Sequence, residues 1–223
     1  MRKFLMMAAA LVSIGGPMTA TETAGPETYD LLFKTGTLDD FSRDHRLVYD
    51  RTVRNRLKPE TEERDTGQIV LSLVDGQVPE AHLKFTHDDK YRNLGSFPAS
   101  VGNPIIMYFV ETVVRDMAES AGGSPFYIRN RVKEALVQPA EIRADQAIIA
   151  GETVDTVDVT MHPFRDDPNA ARMQGFDRLA MTVSMSEDAP GWYLSLSAQV
   201  PGADGGDPVY SSVMTFDHTE PAQ

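Results

Sequence analysis

The chain has 223 residues, no cysteine and a formal net charge of −12. Without cysteine, the sequence excludes disulfides, thiolate nucleophiles, Cys-based zinc sites and a lipid-bearing N-terminal Cys. A charge this negative repels nucleic acid and anionic membrane surfaces, so neither is expected as a partner. The length is sufficient for one domain with a sizeable hydrophobic core.

The first 20 residues have the pattern of a secretory signal peptide. Arg2 and Lys3 form a short positive region, and residues 4–14 form an apolar stretch that is shorter than a membrane span. We expect cleavage after Ala20, which removes two basic residues and no acidic ones and so lowers the net charge from −12 to −14. The alternative is an uncleaved anchor or an ordinary N-terminal helix. The leader predicts a periplasmic or secreted protein with no stable membrane insertion after cleavage.

The remaining chain is predicted to hold one domain. Residues 21–28 are polar and are expected to form a disordered N-terminus, followed by a short strand or helical turn at 29–33. A single α+β domain is expected over residues 29–217. Residues 218–223 are expected to form a flexible polar tail.

Most of this domain is predicted to be β-structure. Ten segments show period-two alternation or short apolar runs bounded by turn residues. They are residues 45–57, 69–74, 81–85, 91–94, 141–144, 147–150, 154–162, 179–185, 192–200 and 209–216. The segments 179–185 and 192–200, on either side of Pro190, give the strongest hairpin prediction.

Residues 103–138 are predicted to form a pair of helices in the middle of the chain. Asn103 followed by Pro104 is a helix-start signal, since Asn caps the first N–H groups and proline tolerates the first helical position. Gly122 predicts the end of the first helix, and Ser124 starts the second. Pro139 closes the second helix. Apolar residues recur at spacings of three and four in both segments.

These elements predict an α+β fold. No strand–helix–strand alternation is present, so a curved antiparallel sheet of about eight to ten strands is expected. The sheet is either open or closes into an incomplete barrel, and the central helical hairpin covers it. This architecture is similar to the curved-sheet lipoprotein carriers of the bacterial envelope, in which helices cover the concave face of an incomplete barrel. The resemblance is one of fold alone and transfers no site residues.

The sequence contains no motif for metal binding or nucleophilic catalysis. It lacks His-Glu-x-x-His, Gly-x-Ser-x-Gly and Ser-x-x-Lys. Residues 166–169 and 204–207 resemble calcium loops only in composition, and turn chemistry explains them equally well. We therefore expect no metal and no cofactor. A catalytic site would have to be assembled in space around one of the histidines, which are His45, His82, His87, His162 and His218.

One candidate ligand site lies where the two predicted helices meet. The segment leading to Ser124 presents backbone N–H groups at a helix start, and Arg129 and Arg131 follow within two turns. A phosphate or carboxylate is the expected ligand of such a site. The alternative interpretation is a pair of helix caps, with both arginines bound to acidic residues of this acidic protein.

The strand faces carry many methionine and aromatic side chains, which either line an adaptable apolar cavity or form the core. They are Met161, Met181, Met185, Trp192, Tyr210, Met214 and Phe216. The hypothesis that we favour is a non-enzymatic envelope protein that binds a lipid-like or small amphipathic ligand, or an envelope protein. One alternative is an envelope hydrolase with an assembled His/acid site, and another is a structural or assembly module.

Overall fold

The computed structural model describes residues 21–22 and 25–222, so the predicted signal peptide and its cleavage site lie outside the described residues. The described chain forms one ten-stranded antiparallel sheet in the order β1-β6-β7-β8-β9-β10-β2-β3-β4-β5. The strands are β1 (Thr21–Glu22), β2 (His45–Asn55), β3 (Gly67–Val74), β4 (Glu80–His87), β5 (Lys90–Pro98), β6 (Glu141–Ile149), β7 (Glu152–Met161), β8 (Ala180–Met185), β9 (Tyr193–Val200) and β10 (Tyr210–Pro221).

Four α-helices accompany the sheet. They are α1 (Gly25–Leu32), α2 (Glu60–Asp65), α3 (Ile105–Ala121) and α4 (Pro125–Ala135). Both α3 and α4 fall within residues 103–138, where the sequence predicts two helices. Asn103 Oδ1 accepts a hydrogen bond from Ile105 N at 3.1 Å at the start of α3, although the N-cap position is held by Pro104, one residue later than predicted. No described helix is long and apolar enough to cross a bilayer.

The predicted antiparallel α+β class is confirmed. The hairpin predicted around Pro190 is also confirmed, because β8 and β9 pair in antiparallel register from Ala180 opposite Gln199 to Met185 opposite Tyr193. The two short segments predicted at 141–144 and 147–150 form one continuous strand, β6, paired with β7 along its length.

Two helices are absent from the sequence prediction. Residues 25–32 form α1, where we expected disorder to residue 28, and residues 60–65 form α2, between the strand segments predicted at 45–57 and 69–74. Both are held by tertiary contacts more than by local signals. Leu32 is fully buried and its carbonyl accepts a hydrogen bond from Tyr193, while Thr61 and Asp65 of α2 are buried despite being polar.

The C-terminal residues also differ from the prediction. Residues 218–221, expected in a flexible tail, continue β10 as far as Pro221, which lies opposite His45 of β2. The register shifts between Phe216 and His218, which marks a β-bulge. Backbone pairing with β2 orders this polar segment although its side chains give no alternating pattern.

Helix α3 packs on the inward face of the sheet, where it contacts β2 and β9. Alternate residues of β2 point to this face and are buried. Three side-chain hydrogen bonds connect β2 to α3 and to the residue two positions before it. They join Tyr49 to Asn103, Arg51 to Asp116 and Asn55 to Ser120.

One continuous hydrophobic cluster joins the sheet to the two long helices. It contains apolar residues of α3 and α4, such as Phe109, Val113 and Val132, together with the inward side chains of β2, β3 and β8 to β10. The methionine and aromatic side chains noted above belong to this cluster, and Phe216 packs against it while partly buried. In the described structure these residues therefore form core, and Trp192, which is 7% exposed, also borders a surface cleft.

Candidate functional site

The best candidate for a ligand site is a cleft at the end of the sheet where β2 begins. We call it the Trp192 cleft. Its volume is about 540 Å³, and it lies between the α1–β2 connection, the first residue of β2 and the turn that joins β8 to β9. The lining residues that matter below are Lys34, Phe41, His45, Glu187, Asp188 and Trp192.

The β8–β9 turn is held in an unusual backbone conformation. Gly191 has φ +73° and Trp192 has φ +82°, a region that a bulky residue such as tryptophan rarely occupies. Hydrogen bonds fix the turn, because Ser186 N donates to Trp192 O at 3.0 Å and Trp192 N donates to Ala189 O at 3.0 Å. The side-chain amide of Asn103 donates to Gly191 O at 2.9 Å and ties the turn to the start of α3.

The Trp192 ring lies beneath a lysine ammonium. Its indole N–H donates to Leu31 O at 3.1 Å, which fixes the ring against α1. Lys34 Nζ lies 4.2 Å from the ring centroid, within the distance of a cation–π interaction. The same ammonium is 2.7 Å from Glu187 Oε2. An aromatic face, a cation and a carboxylate therefore meet at one point of the cleft.

Two buried tyrosines support the cleft from inside the molecule. The Tyr193 hydroxyl donates to Leu32 O at 2.6 Å, and the Tyr49 hydroxyl donates to Tyr193 O at 3.2 Å. Burial raises the pKa of both tyrosines well above the ordinary value, so both remain neutral donors over the physiological range. These bonds connect α1, β2 and β9 behind the Trp192 ring.

The charge of the Trp192 cleft is negative. Lys34 is its positive lining residue, and Asp40, Glu187 and Asp188 are negative, so the lysine and carboxylate groups sum to one minus three, or −2. Glu187 and Asp188 are exposed at the rim. Anionic ligands are therefore disfavoured.

A second cleft of about 400 Å³ lies at the opposite end of the sheet, around His162. Burial, with the positive charge of Arg165, lowers the pKa of His162. His162 Nε2 is 3.8 Å from Glu141 Oε1, which is beyond hydrogen-bond distance. The nearby Thr160 hydroxyl pairs with Thr182 at 2.9 Å. No nucleophile is thus hydrogen-bonded to His162 among the contacts of the described residues.

The sheet keeps His45 and His162 apart, so they cannot belong to one site. Alternating antiparallel pairing makes β2 and β7 run in the same direction. His45 begins β2 and His162 follows the end of β7, so they lie at opposite ends of strands about 30 Å long. His82 points to the outer face, because its neighbours Ala81 and Leu83 are buried on the inner one.

Neither calcium-like segment contributes described residues to a cluster of three His, Cys, Asp or Glu groups that could hold a metal ion. In the first segment Asp167 is buried and structural. Its carboxylate accepts hydrogen bonds from the Tyr127 hydroxyl at 2.7 Å, from Arg131 Nε at 3.0 Å and from Asn169 N at 2.8 Å. These bonds attach α4 to the loop after β7.

The residues of the predicted anion site lie close together on α4, but both arginines contact carboxylates. Arg129 forms a two-pronged pair with Glu111 of α3, with Nη2 2.7 Å from Oε2. Arg131 contacts Asp167 and Glu134. Ser124 precedes α4 and makes no side-chain cap hydrogen bond. The geometry favours the alternative of helix ends with paired arginines, and the anion site stays a prediction.

Sequence reasoning does not identify the Trp192 cleft. Its walls come from residues 34–45, 186–192 and 219, which are distant along the chain. The alternating pattern places Trp192 in a strand, although it lies just before β9 in the turn. The available signal is a single tryptophan directly after Pro190 and Gly191, in a chain with only one tryptophan.

No protein-family model and no curated protein matches this chain. Among solved structures, the chain is similar to the crystal structure of the lipoprotein LppX of Mycobacterium tuberculosis. The two share 12% sequence identity over 89% of this chain and 98% of LppX, with a TM-score of 0.38. At this level of likeness, the match supports no transfer of sites or function.

Proposed function

We propose that this protein is a non-enzymatic exported envelope protein that binds a small amphipathic ligand in the Trp192 cleft. The observation that carries the proposal is the composition of the cleft, where the Trp192 ring and Phe41 provide apolar surface among polar and charged side chains. Ligand sites typically enclose about 300–1,000 Å³ and combine apolar walls with a few polar groups. At about 540 Å³ the cleft falls in this range. The predicted leader supports export.

The proposed position of the ligand is the end of the sheet. A carrier with its cargo between sheet and helices needs an apolar cavity there, but the continuous core places buried side chains such as Tyr49, Phe109 and Met185 in that space. The predicted helical cover, with α4 beside α3, is then part of the scaffold that holds the Trp192 turn. Asn103, at the start of α3, makes the direct contact to this turn.

The hydrolase alternative has weaker support. It needs a histidine that meets both an acid and a nucleophile. The His162 cleft comes closest to this requirement. Glu141, however, is 3.8 Å from His162, and the Thr160 hydroxyl is hydrogen-bonded to Thr182 instead of to His162. Among the described residues, no specific feature favours an assembly role through the acidic surface or a sheet edge.

Intrinsic fluorescence tests the proposal directly, because Trp192 is the sole tryptophan of the chain. We expect octyl glucoside, titrated below its critical micelle concentration, to produce a saturable change in the emission of Trp192. Thr219→Phe should weaken this response by at least about tenfold, because Thr219 lines the cleft and the larger side chain fills it.

Thr215→Phe is the matched control for that variant. Thr215 is an exposed threonine on the same strand, and it does not line the cleft. We expect this variant to bind like the unmodified protein. A response that is unsaturable, or that Thr219→Phe and Thr215→Phe leave equally unchanged, would contradict binding in the cleft. Native mass spectrometry of protein purified from the periplasm would show whether a small amphiphile co-purifies.

A further inference from the structure

We propose that the Trp192 cleft selects amphiphiles with a cationic head group, an amine or quaternary ammonium, which takes the place that Lys34 occupies in the structure. This inference rests on the proposed function, because it names the ligand class of the same cleft. Three features carry it: an internal cation on the Trp192 ring, the exposure of that cation, and the negative charge of the surrounding rim.

The first feature is the position of the Lys34 ammonium. It lies 4.2 Å from the centroid of the Trp192 ring and pairs with the Glu187 carboxylate. Aromatic faces backed by carboxylates are the arrangement by which proteins recognise ammonium groups. The protein's own lysine therefore occupies a place whose chemistry suits an external ammonium. The bond from the indole N–H to Leu31 holds the ring in position before any ligand arrives.

The second feature is that Lys34 can be displaced readily. The Lys34 side chain is 37% exposed and that of Glu187 is 76% exposed. An ion pair in this setting contributes little to stability, because water and salt screen it. The lysine side chain is flexible and remains solvated when it turns outward. An incoming ammonium can thus replace one weak pair with an equivalent one and bury its apolar tail against the cleft.

The third feature is the sign of the charge around that position. Asp40, Glu187 and Asp188 outweigh Lys34 among the lining residues. When Lys34 turns away, the ring and three carboxylates remain, so a cationic head is attracted and an anionic head is repelled. Phe41 and Pro190 lie in the same lining and offer apolar surface for the tail.

Isothermal titration calorimetry with four probes tests the inference on the mature protein. The probes are octyltrimethylammonium, octyl glucoside, octyl sulfate and choline, with the three octyl compounds below their critical micelle concentrations. We expect octyltrimethylammonium to bind at least about fivefold more tightly than octyl glucoside, the change that a cation–π interaction provides. Octyl sulfate should bind more weakly than both, and choline should bind more weakly than octyltrimethylammonium because it lacks the tail.

The outcomes separate the inference from the proposed function. Equal binding of the three octyl compounds would overturn the cation selectivity while leaving an amphiphile site in place. No binding of any octyl compound would overturn both. Choline that binds as tightly as octyltrimethylammonium would support the cation site and contradict the amphipathic ligand.

A variant of Lys34 gives a result that a purely structural role would not produce. Lys34→Met removes the internal competitor and should tighten octyltrimethylammonium binding by about two- to fivefold. Lys58→Met is the matched control, because Lys58 is a partly exposed lysine, as Lys34 is, pairs with an exposed Glu60 at 3.8 Å and lies outside the cleft. Weaker or unchanged binding by Lys34→Met would overturn the claim that Lys34 holds the ligand position.

The carboxylate is tested in the same background. Adding Glu187→Gln to Lys34→Met should weaken octyltrimethylammonium binding by about two- to fivefold and leave octyl glucoside binding unchanged. Glu60→Gln in the Lys34→Met background is the control and should change neither. If Glu187→Gln weakened both probes equally, Glu187 would act on the shape of the turn and the electrostatic argument would fail.

Discussion

At the scale of single residues, the buried charges on the inward face of β2 are the most consequential feature of the core. Arg51 has a fully buried side chain and contacts Asp116 of α3 at 3.1 Å. Asp116 also accepts a hydrogen bond from the Tyr210 hydroxyl at 2.8 Å and pairs with Arg115 at 2.7 Å. Among the described residues, Nε and Nη1 of Arg51 have no hydrogen-bond partner. Asp116 is therefore the counter-charge that makes burial of the Arg51 guanidinium tolerable.

Asp116→Asn tests this dependence. The substitution keeps the shape of the side chain but leaves the Arg51 charge buried without a counter-charge, so we expect the free energy of unfolding to fall by about 3–5 kcal/mol. Urea unfolding followed by circular dichroism measures the change. Glu111→Gln, which breaks the exposed contact with Arg129, is the control and should cost clearly less.

A double variant strengthens the same test. Arg51→Met combined with Asp116→Leu removes both charges, so we expect it to lose less stability than Asp116→Asn alone. Equal losses for Asp116→Asn and Glu111→Gln would show that the pair is not the centre of this network.

At the scale of elements, alternation identifies strands well because one face of the sheet is buried. The apolar residues that alternate along β7 and β8 are buried, as their spacing of two predicts; examples are Val159, Met161, Met181 and Val183. Arg51 interrupts the apolar parity of β2, and the structure shows the reason, since it faces a carboxylate on α3. The alternation of apolar and polar residues cannot predict a buried arginine, because the carboxylate that balances its charge, Asp116, is 65 residues away in the sequence.

The elements absent from the sequence prediction have a different physical cause. α1 and the end of β10 carry few apolar residues, and backbone pairing or a single buried side chain such as Leu32 orders them. Local propensity contains no information on such distant contacts. The Trp192 cleft cannot be predicted for the same reason: the three segments that form it are far apart in the sequence. The one local indication is Trp192 itself, beside a glycine in a turn.

The conformation of that turn gives a prediction about Gly191. Its φ of +73° favours glycine, and a Cβ at this position would lie 2.6 Å from Leu47 Cδ1 and 2.9 Å from Asn103 Nδ2. Leu47 is fully buried and has no room to move. We expect Gly191→Ala to lower the free energy of unfolding by more than about 2 kcal/mol, as strain and overpacking combine. Thermal unfolding monitors the loss.

Gly151→Ala separates strain from overpacking. Gly151, in the turn between β6 and β7, has φ +89°, and a Cβ added there would have no other atom within 4 Å. Its substitution should cost only the strain of a positive φ, about 1 kcal/mol. If Gly191→Ala were no more costly than Gly151→Ala, close packing of the Trp192 turn against Leu47 and Asn103 would be refuted.

At the scale of the whole molecule, three buried tyrosines make stability depend on alkaline pH. Burial raises the pKa of Tyr49, Tyr193 and Tyr210 well above the ordinary value of 10.0. The neighbouring Asp116 carboxylate raises that of Tyr210 further. These hydroxyls join β2, β9 and β10 to α1 and α3, so the three sites lie at the contacts between the sheet and its helices.

The sign of the effect follows from proton binding. Below pH 10 both folded and unfolded chains keep these hydroxyls protonated, so stability is unaffected. Above pH 10 the unfolded chain releases three protons that the folded chain retains, which favours unfolding. Each tyrosine should remove about 1.4 kcal/mol per pH unit, or about 4 kcal/mol for three. We expect urea unfolding at 25 °C to show constant contributions from these groups up to pH 9 and a steep loss between pH 10 and 11.

Two phenylalanine variants assign the loss to the buried hydroxyls. Tyr193→Phe removes one buried titrating group, so the slope above pH 10 should fall by about a third, even though the lost hydrogen bond to Leu32 lowers stability at every pH. Tyr91→Phe is the control, because Tyr91 is 68% exposed and its substitution removes a hydroxyl without removing a buried one. A stability that is the same at pH 11 as at pH 9 would contradict burial of these tyrosines, and with it the attachment of α1 and α3 to the sheet behind the Trp192 cleft.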